Sequence, residues 1–169
     1  MKKALLIGLL LLSVLTASAQ IQRKFLGFTL GVTTKTQIVN NLKSRNIKIH
    51  SDQDDIYFEN ITFGGQQWSY VFISFVNGKM AKISFMKDDE TTTLTHLKSI
   101  YDNLESSLNK KYYQYKTDTS GTIKYSDGTV DICLDCDDSN GYGSTVFLSL
   151  IYYHRPLMQK KFQQEEDEL

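Results

Sequence analysis

Apolar residues recur at helical spacing in two segments of the chain. In the first, Ile38, Val39 and Leu42 repeat at that spacing, and Thr33 or Thr34 precedes them as a helix cap. The second runs over residues 92–112, with acidic residues before it and lysines at its end, which suits the helix dipole. Its apolar stripe consists of Leu94, Leu97, Ile100, Tyr101, Leu104 and Leu108. The pattern predicts two amphipathic helices.

Elsewhere the apolar residues alternate with period two, which is typical of strands. The alternating runs cover residues 56–63, 67–76, 79–86, 122–126, 129–136 and 144–153. They are interrupted by Gly64-Gly65, Asn77-Gly78, Asp127-Gly128 and Asn140-Gly141. Such pairs favour tight hairpin turns, whose central residues need a positive φ. Six strands are therefore predicted, three after each helix.

The spacing of the turns suggests an internal repeat. Gly78 follows Gly65 by thirteen positions, and Gly141 follows Gly128 by thirteen positions, with Gly128 63 positions after Gly65. The helical stretches IVNNLKS and IYDNLES match at an offset of 62. We therefore predict an α+β fold of two tandem helix-plus-three-strand units, residues 20–88 and 89–156, with antiparallel sheet and helices packed on one face.

The first nineteen residues have the order of a signal peptide. Lys2 and Lys3 precede an apolar run from Ala4 to Leu15, and Ala17-Ser18-Ala19 forms a small-residue cleavage site before Gln20. The apolar run is too short to be a convincing membrane span. We expect a secreted or periplasmic protein, cleaved near Ala19, with no transmembrane segment in the mature chain.

Composition narrows the class of partner. Without Lys2 and Lys3 the chain has 17 basic and 19 acidic residues, so nothing indicates nucleic acid as a partner. About 150 mature residues suffice for one folded domain. Two cysteines are too few for a disulfide framework. After Pro156, residues 157–169 form a charged tail, which we expect to be a solvated, loose end.

Two motifs suggest chemistry on first inspection. Cys133 and Cys136 are spaced as a C-x-x-C pair, but they lie in an alternating run, where Cα atoms three residues apart are about 10 Å apart, too far for a disulfide. The acidic stretch at residues 135–143 fails the EF-hand register, because glycine is missing from position six and glutamate from position twelve. We expect one cysteine to point inward and the other outward, and no metal or other cofactor.

The chain has no serine-nucleophile elbow, phosphate-binding loop or zinc-protease motif. We therefore expect no catalysis. An enzyme would have to assemble its site from dispersed residues, and Asp135, Asp137, His96 and His154 are the candidates.

Aromatic residues carry the functional hypothesis. In QQWSYVFISFVNG, Trp68, Tyr70 and Phe72 alternate with Val71, Ile73 and Phe75, so this strand is apolar on both faces. The aromatics belong either to the core or to a contact surface of the kind rich in Trp and Tyr. The residues that could form such a surface are Trp68, Tyr70, Phe72, Tyr125, Tyr142 and Tyr152.

The opening Gly31-Val32-Thr33, followed by a helix with Ile38 and Leu42 and then an antiparallel meander, resembles a group of small bacterial envelope domains. The group includes the tandem-repeat β-lactamase inhibitor protein and the small lipoprotein of the outer-membrane β-barrel assembly machine. The resemblance implies a non-catalytic binding module that uses its sheet face. We therefore expect a protein or envelope component as partner. The alternatives are a structural envelope domain without an exposed site, and an enzyme whose site is assembled from dispersed residues.

Overall fold

A computed structural model of the chain describes residues 20–51, 55–88, 94–119, 122–137 and 147–167. Helix α1 spans Lys35–Ser44, α2 spans Leu94–Tyr112 and α3 spans Arg155–Asp167. A short hairpin joins β1, Lys24–Phe25, to β2, Phe28–Thr29. The remaining strands are β3 (His50–Ser51), β4 (Ile56–Phe63), β5 (Gln66–Val76), β6 (Lys79–Asp88), β7 (Lys116–Thr119), β8 (Thr122–Ser126), β9 (Val130–Asp137) and β10 (Phe147–His154). The α+β class is confirmed.

Helix α1 begins at Thr34, the second of the two predicted caps. The Thr34 side chain accepts a hydrogen bond from the Gln37 backbone N–H, and the Gln37 side chain accepts one from the Thr34 N–H. This reciprocal pair is a capping box. It directs Ile38 and Leu42 into the core, where both are fully buried.

Strands β3 to β10 form one antiparallel sheet in the order β3-β4-β5-β6-β10-β9-β8-β7. Strands β6 and β10 pair at its centre, from Lys82↔Tyr153 to Asp88↔Phe147. Helix α1 precedes β3–β6 and helix α2 precedes β7–β10, so each helix is followed by four strands. The prediction of three was wrong, because β3 and β7 are too short to produce an alternating pattern.

The main core lies on one face of this sheet, under α1 and α2. Buried side chains of both helices meet those of the strands and of the N-terminal hairpin in a single cluster. The opposite face is called the outer face below. Since Val71 and Ile73 on β5 belong to the core, the side chains that alternate with them, Tyr70 and Phe72, lie on the outer face.

Helix α3 contradicts two predictions, the loose C-terminal tail and the packing of all helices on one face of the sheet. Residues 157–167 are not a loose end but continue α3, which begins at Arg155 with Pro156 in its first turn, where the missing N–H costs nothing. Leu157 and Met158 pack against Val76 and Ala81 in a second, smaller cluster, separate from the main core. Helix α3 therefore lies on the outer face, and the helices do not all share one side.

The glycines of the predicted turns that the structure describes all have positive φ, but the Asp127-Gly128 connection spans three residues and only Gly128 in it has positive φ. Asn77 and Gly78 both have positive φ, 50° and 71°, as a two-residue hairpin turn requires. The predicted turn Asn140-Gly141 lies outside the described residues. A further positive φ, 58° at Asn60, occurs within β4 and is opposite the part of β5 where the burial pattern changes.

Candidate binding face

Trp68 belongs to the core and not to a contact surface. Its side chain is fully buried, its indole N–H donates to the Phe63 carbonyl oxygen at 3.0 Å, and its ring lies 5.7 Å from that of Phe85, a core residue. Strict alternation would place Trp68 beside Tyr70 and Phe72 on the outer face. The alternation fails between Trp68 and Tyr70, opposite Asn60 with its positive φ.

Two further predicted surface aromatics are buried as well. Tyr125 is fully buried and its hydroxyl hydrogen-bonds the Asn109 side chain at 2.9 Å, while Tyr152 packs against Phe25 with ring centroids 4.3 Å apart. Their assignment to an exposed face was therefore wrong. Tyr142 lies outside the described residues. Of the five that the structure describes, only Tyr70 and Phe72 lie on the outer face, and both are half-buried.

The outer face carries a continuous set of four rings, His50, Tyr57, Phe72 and Tyr70, called here the aromatic row. His50 stacks on Tyr57 with centroids 4.6 Å apart and planes 10° apart, and Tyr57 stacks on Phe72 at 5.4 Å. Tyr70 follows at 6.2 Å from Phe72. Strand register produces the row, since His50 pairs with Tyr57 and Tyr57 with Phe72. All four rings are half-buried and retain contact with solvent.

Sequence inspection missed His50 and Tyr57 as site residues. Tyr57 could have been found, because it alternates with the apolar residues Ile56 and Phe58 in a predicted strand. His50 belongs to the two-residue strand β3, which has no periodic signal. A carboxylate completes this end of the face: Glu59 Oε1 is 3.9 Å from His50 Nε2, and its side chain is 45% exposed.

A second feature of the outer face is a groove between the sheet and α3, with a volume of about 420 Å³. We call it the α3 groove. It is lined by Lys124, Asp131, Cys133, Tyr153, Arg155, Met158, Gln159 and Phe162. The row of paired residues that starts at Phe72 continues through Ser84 and Ile151 to Cys133, so the groove and the aromatic row lie on the same face.

An ion-pair cluster forms one wall of the α3 groove. Asp131 is buried, and Arg155 donates to it from Nε, at 3.2 Å to both carboxylate oxygens, and from Nη2, at 2.9 Å. Arg155 Nη2 also donates to the Ser126 hydroxyl, and Lys124 Nζ lies 3.7 Å from Asp131. The pairing compensates the buried carboxylate and fixes the start of α3 on the sheet.

The other titratable groups of the groove are neutral at pH 7. Burial, followed by the neighbouring Cys133 and Asp131, raises the pKa of Tyr153 to about 12. Burial also raises the pKa of the Cys133 thiol, against the opposing effect of Lys124. A thiol with a raised pKa is a poor nucleophile. Cys133 and Cys136 form no disulfide, and as expected they point to opposite faces, with Cys136 packed against the main core.

Two of the four candidate catalytic residues, His154 and Asp135, are not brought together. His154 pairs with Val130 and Asp135 with Ser149, five residues along the same two strands and so about 16 Å away. The side chain of Asp137 lies outside the described residues. Within the described ranges, no three His, Cys, Asp or Glu side chains cluster as a metal site.

No protein-family model, curated protein or solved structure matches this chain. Of the helices in the described part of the chain, none has the length and apolar character that crossing a bilayer demands. The function of the outer face must therefore be inferred from its own geometry.

Proposed function

We propose that this chain is a secreted or periplasmic, non-catalytic module that binds a protein partner through the outer face of its sheet. The observation that carries the proposal is the aromatic row, since three stacked rings and a fourth, tilted one, all half-buried, form a preorganised surface. Aromatic side chains lose little entropy on binding and are enriched at interface hot spots. The predicted N-terminal signal peptide is the reason for proposing this location.

The chemistry beside the aromatic row favours a partner surface that combines apolar side chains with arginine. Glu59 is about half exposed beside His50, and its carboxylate supplies a negative charge next to the rings. A guanidinium group can stack on an aromatic ring and pair with a carboxylate at the same time. A partner arginine bound between Tyr57 and Glu59 would use both groups.

We further propose that the two halves are copies of one helix-plus-strands unit. The repeated order of one helix followed by four strands, and the central pairing of β6 with β10, support this origin. The resemblance to small bacterial envelope domains, which often use the sheet face for binding, is a further reason for the proposed binding function. The same use is proposed for this chain.

The test is a crosslinking pull-down from the native envelope with the mature chain, followed by measurement of affinity for the recovered partner. Phe72→Ala and Tyr57→Ala should each weaken binding about tenfold or more, as expected for hot-spot residues. Tyr113→Ala is the matched control, because Tyr113 is 75% exposed and lies outside the outer face. Melting temperatures of all variants are recorded alongside.

The outcomes separate binding from stability. A partner lost with Phe72→Ala and Tyr57→Ala, but retained with Tyr113→Ala, supports the proposal if the variants still melt cooperatively. Equal recovery with all variants contradicts it. Glu59→Gln should reduce affinity at low salt and reduce the dependence of affinity on salt, because it removes the charge expected to meet the partner arginine.

A further inference from the structure

The α3 groove has the dimensions of a ligand site. Small-molecule pockets in proteins have volumes of about 300–1,000 Å³, combine apolar walls with a few polar groups, and lie where separate elements meet. The groove, at about 420 Å³, lies between α3 and the outer face. Its lining residues are different from those of the aromatic row, so a ligand bound in the groove does not depend on the proposed protein-binding function.

One wall of the groove is apolar and incompletely covered. Met158 and Phe162 project from successive turns of α3, and Tyr153 and Cys133 face them from the sheet. Phe162 is 55% exposed, one of the few large hydrophobic side chains so exposed in the described part of the chain. An apolar chain lying in the groove would cover that ring and remove its surface from water.

The opposite wall carries two cationic side chains and one carboxylate. The acidic and basic side chains that line the groove are Lys124, Arg155 and Asp131. Arg155 binds the single carboxylate through three hydrogen bonds, whereas Lys124 Nζ lies 3.7 Å from it and has a side chain that is 34% exposed. Lys124 can therefore turn its ammonium group to an incoming anion without leaving Asp131 unpaired.

From this arrangement we propose that the α3 groove binds a single-chain amphiphile with an anionic head, its apolar chain against Met158 and Phe162 and its head against Lys124. The Gln159 amide, which also lines the groove, can donate a further hydrogen bond to the head. Fatty acids and alkyl phosphates share this chemistry.

The probe is octanoate, titrated to millimolar concentrations by calorimetry into the mature chain. One site is expected, with binding weakened about tenfold by Lys124→Gln, since a charge-assisted contact is lost. Phe162→Ala should weaken it as well. Lys110→Gln and Tyr113→Ala are the matched controls, because both residues are exposed and distant from the groove. Neither control should change the affinity.

Three comparisons complete the test. Octanol should bind more weakly than octanoate and be insensitive to Lys124→Gln, and acetate should not bind. Octyl phosphate run in parallel identifies which head is preferred. Absence of octanoate binding, or binding equally unaffected by Lys124→Gln and Phe162→Ala, overturns the proposal. Phe72→Ala should leave octanoate binding unchanged, so failure at this site is distinguishable from failure of the proposed protein-binding face.

Discussion

Gly31 is the residue at which backbone and side-chain constraints coincide. It has φ +80°, and a Cβ at this position would overlap the imidazole ring of His154. Its N–H donates to the Met80 carbonyl oxygen, which ties the segment before α1 to β6. The glycine in the Gly31-Val32-Thr33 opening is therefore explained by this close approach as well as by the turn.

Replacing Gly31 should destabilise the protein more than replacing a glycine with backbone strain alone. Gly128 is the matched control, since its φ is +83° and an added Cβ would meet nothing within 4 Å. We expect Gly128→Ala to cost about 1 kcal/mol of unfolding free energy and Gly31→Ala at least about 1 kcal/mol more through overpacking. Urea unfolding of both variants measures the difference, and equal losses would contradict the proposed contact with His154.

The same histidine should make stability depend on pH. Burial, and then the nearby Arg23 and Lys79, lower the pKa of His154, and its buried Nδ1 has no hydrogen-bond partner in the described structure. The folded state thus binds fewer protons than the unfolded state, whose His pKa is 6.5. The unfolding free energy is therefore not reduced by His154 protonation above pH 6.5, and it falls as the pH decreases from there towards the folded-state pKa.

His154→Gln should flatten this dependence. The unfolding free energy of the variant is compared with wild type between about pH 5 and 7.5 by urea titration. Asp127 does not interfere in this window. Burial would raise its pKa, but backbone N–H donors from Val130, Thr129 and Ile21 outweigh that effect and lower it below 3.8. An unchanged slope in His154→Gln would refute the assignment.

At the scale of elements, the capping box of α1 allows a clean test. Thr34→Ala removes the acceptor for the Gln37 N–H and should lower the unfolding free energy by about 1 kcal/mol. Thr36→Ala is the control, since Thr36 is exposed within the helix and alanine is the better helix former there. Thermal and urea unfolding compare the two. A loss as large in Thr36→Ala would show that the cap is not the cause.

Turn chemistry predicted β4 and β8 with their observed bounds, because glycine and asparagine report local φ directly. The face of the sheet to which each side chain points was harder to predict from the sequence. Trp68 leaves the face of Tyr70 and Phe72 where the partner strand has Asn60 at positive φ, and no regular alternation contains that information. Helix α3 was missed because its charged end resembles a solvated tail, and only Leu157 among its residues is buried.

The aromatic row illustrates why a site can be harder to predict than a fold. Its rings come from three strands: His50 from β3, Tyr57 from β4, and Phe72 and Tyr70 from β5. The row therefore exists only once these strands are paired in register. The sequence predicted apolar side chains on both faces of β5, and Tyr70 and Phe72 do lie on the outer face, whereas Trp68 does not. It did not identify His50 or Tyr57 as the neighbours of Phe72, since cross-strand pairing is not encoded in local periodicity.

At the scale of the whole molecule, the arrangement of the two halves governs how it unfolds. The β6–β10 ladder joins them across seven residue pairs, and the main core contains side chains from both helices. Neither half has a separate principal core. Opening the second half would expose the Phe85 and Ile83 side of β6, so the loss of one half removes packing from the other.

We therefore expect a single cooperative unfolding transition in spite of the repeated element order. Trp68, the only tryptophan, reports on the first half by fluorescence, and hydrogen exchange at Leu134 and Leu150 reports on the second. Both probes should give the same urea midpoint and the same unfolding free energy, as two-state behaviour requires. Exchange of Leu134 and Leu150 at a lower urea concentration than the Trp68 transition would mean that the halves unfold separately, and the β6–β10 ladder would then be only a docking contact between two units.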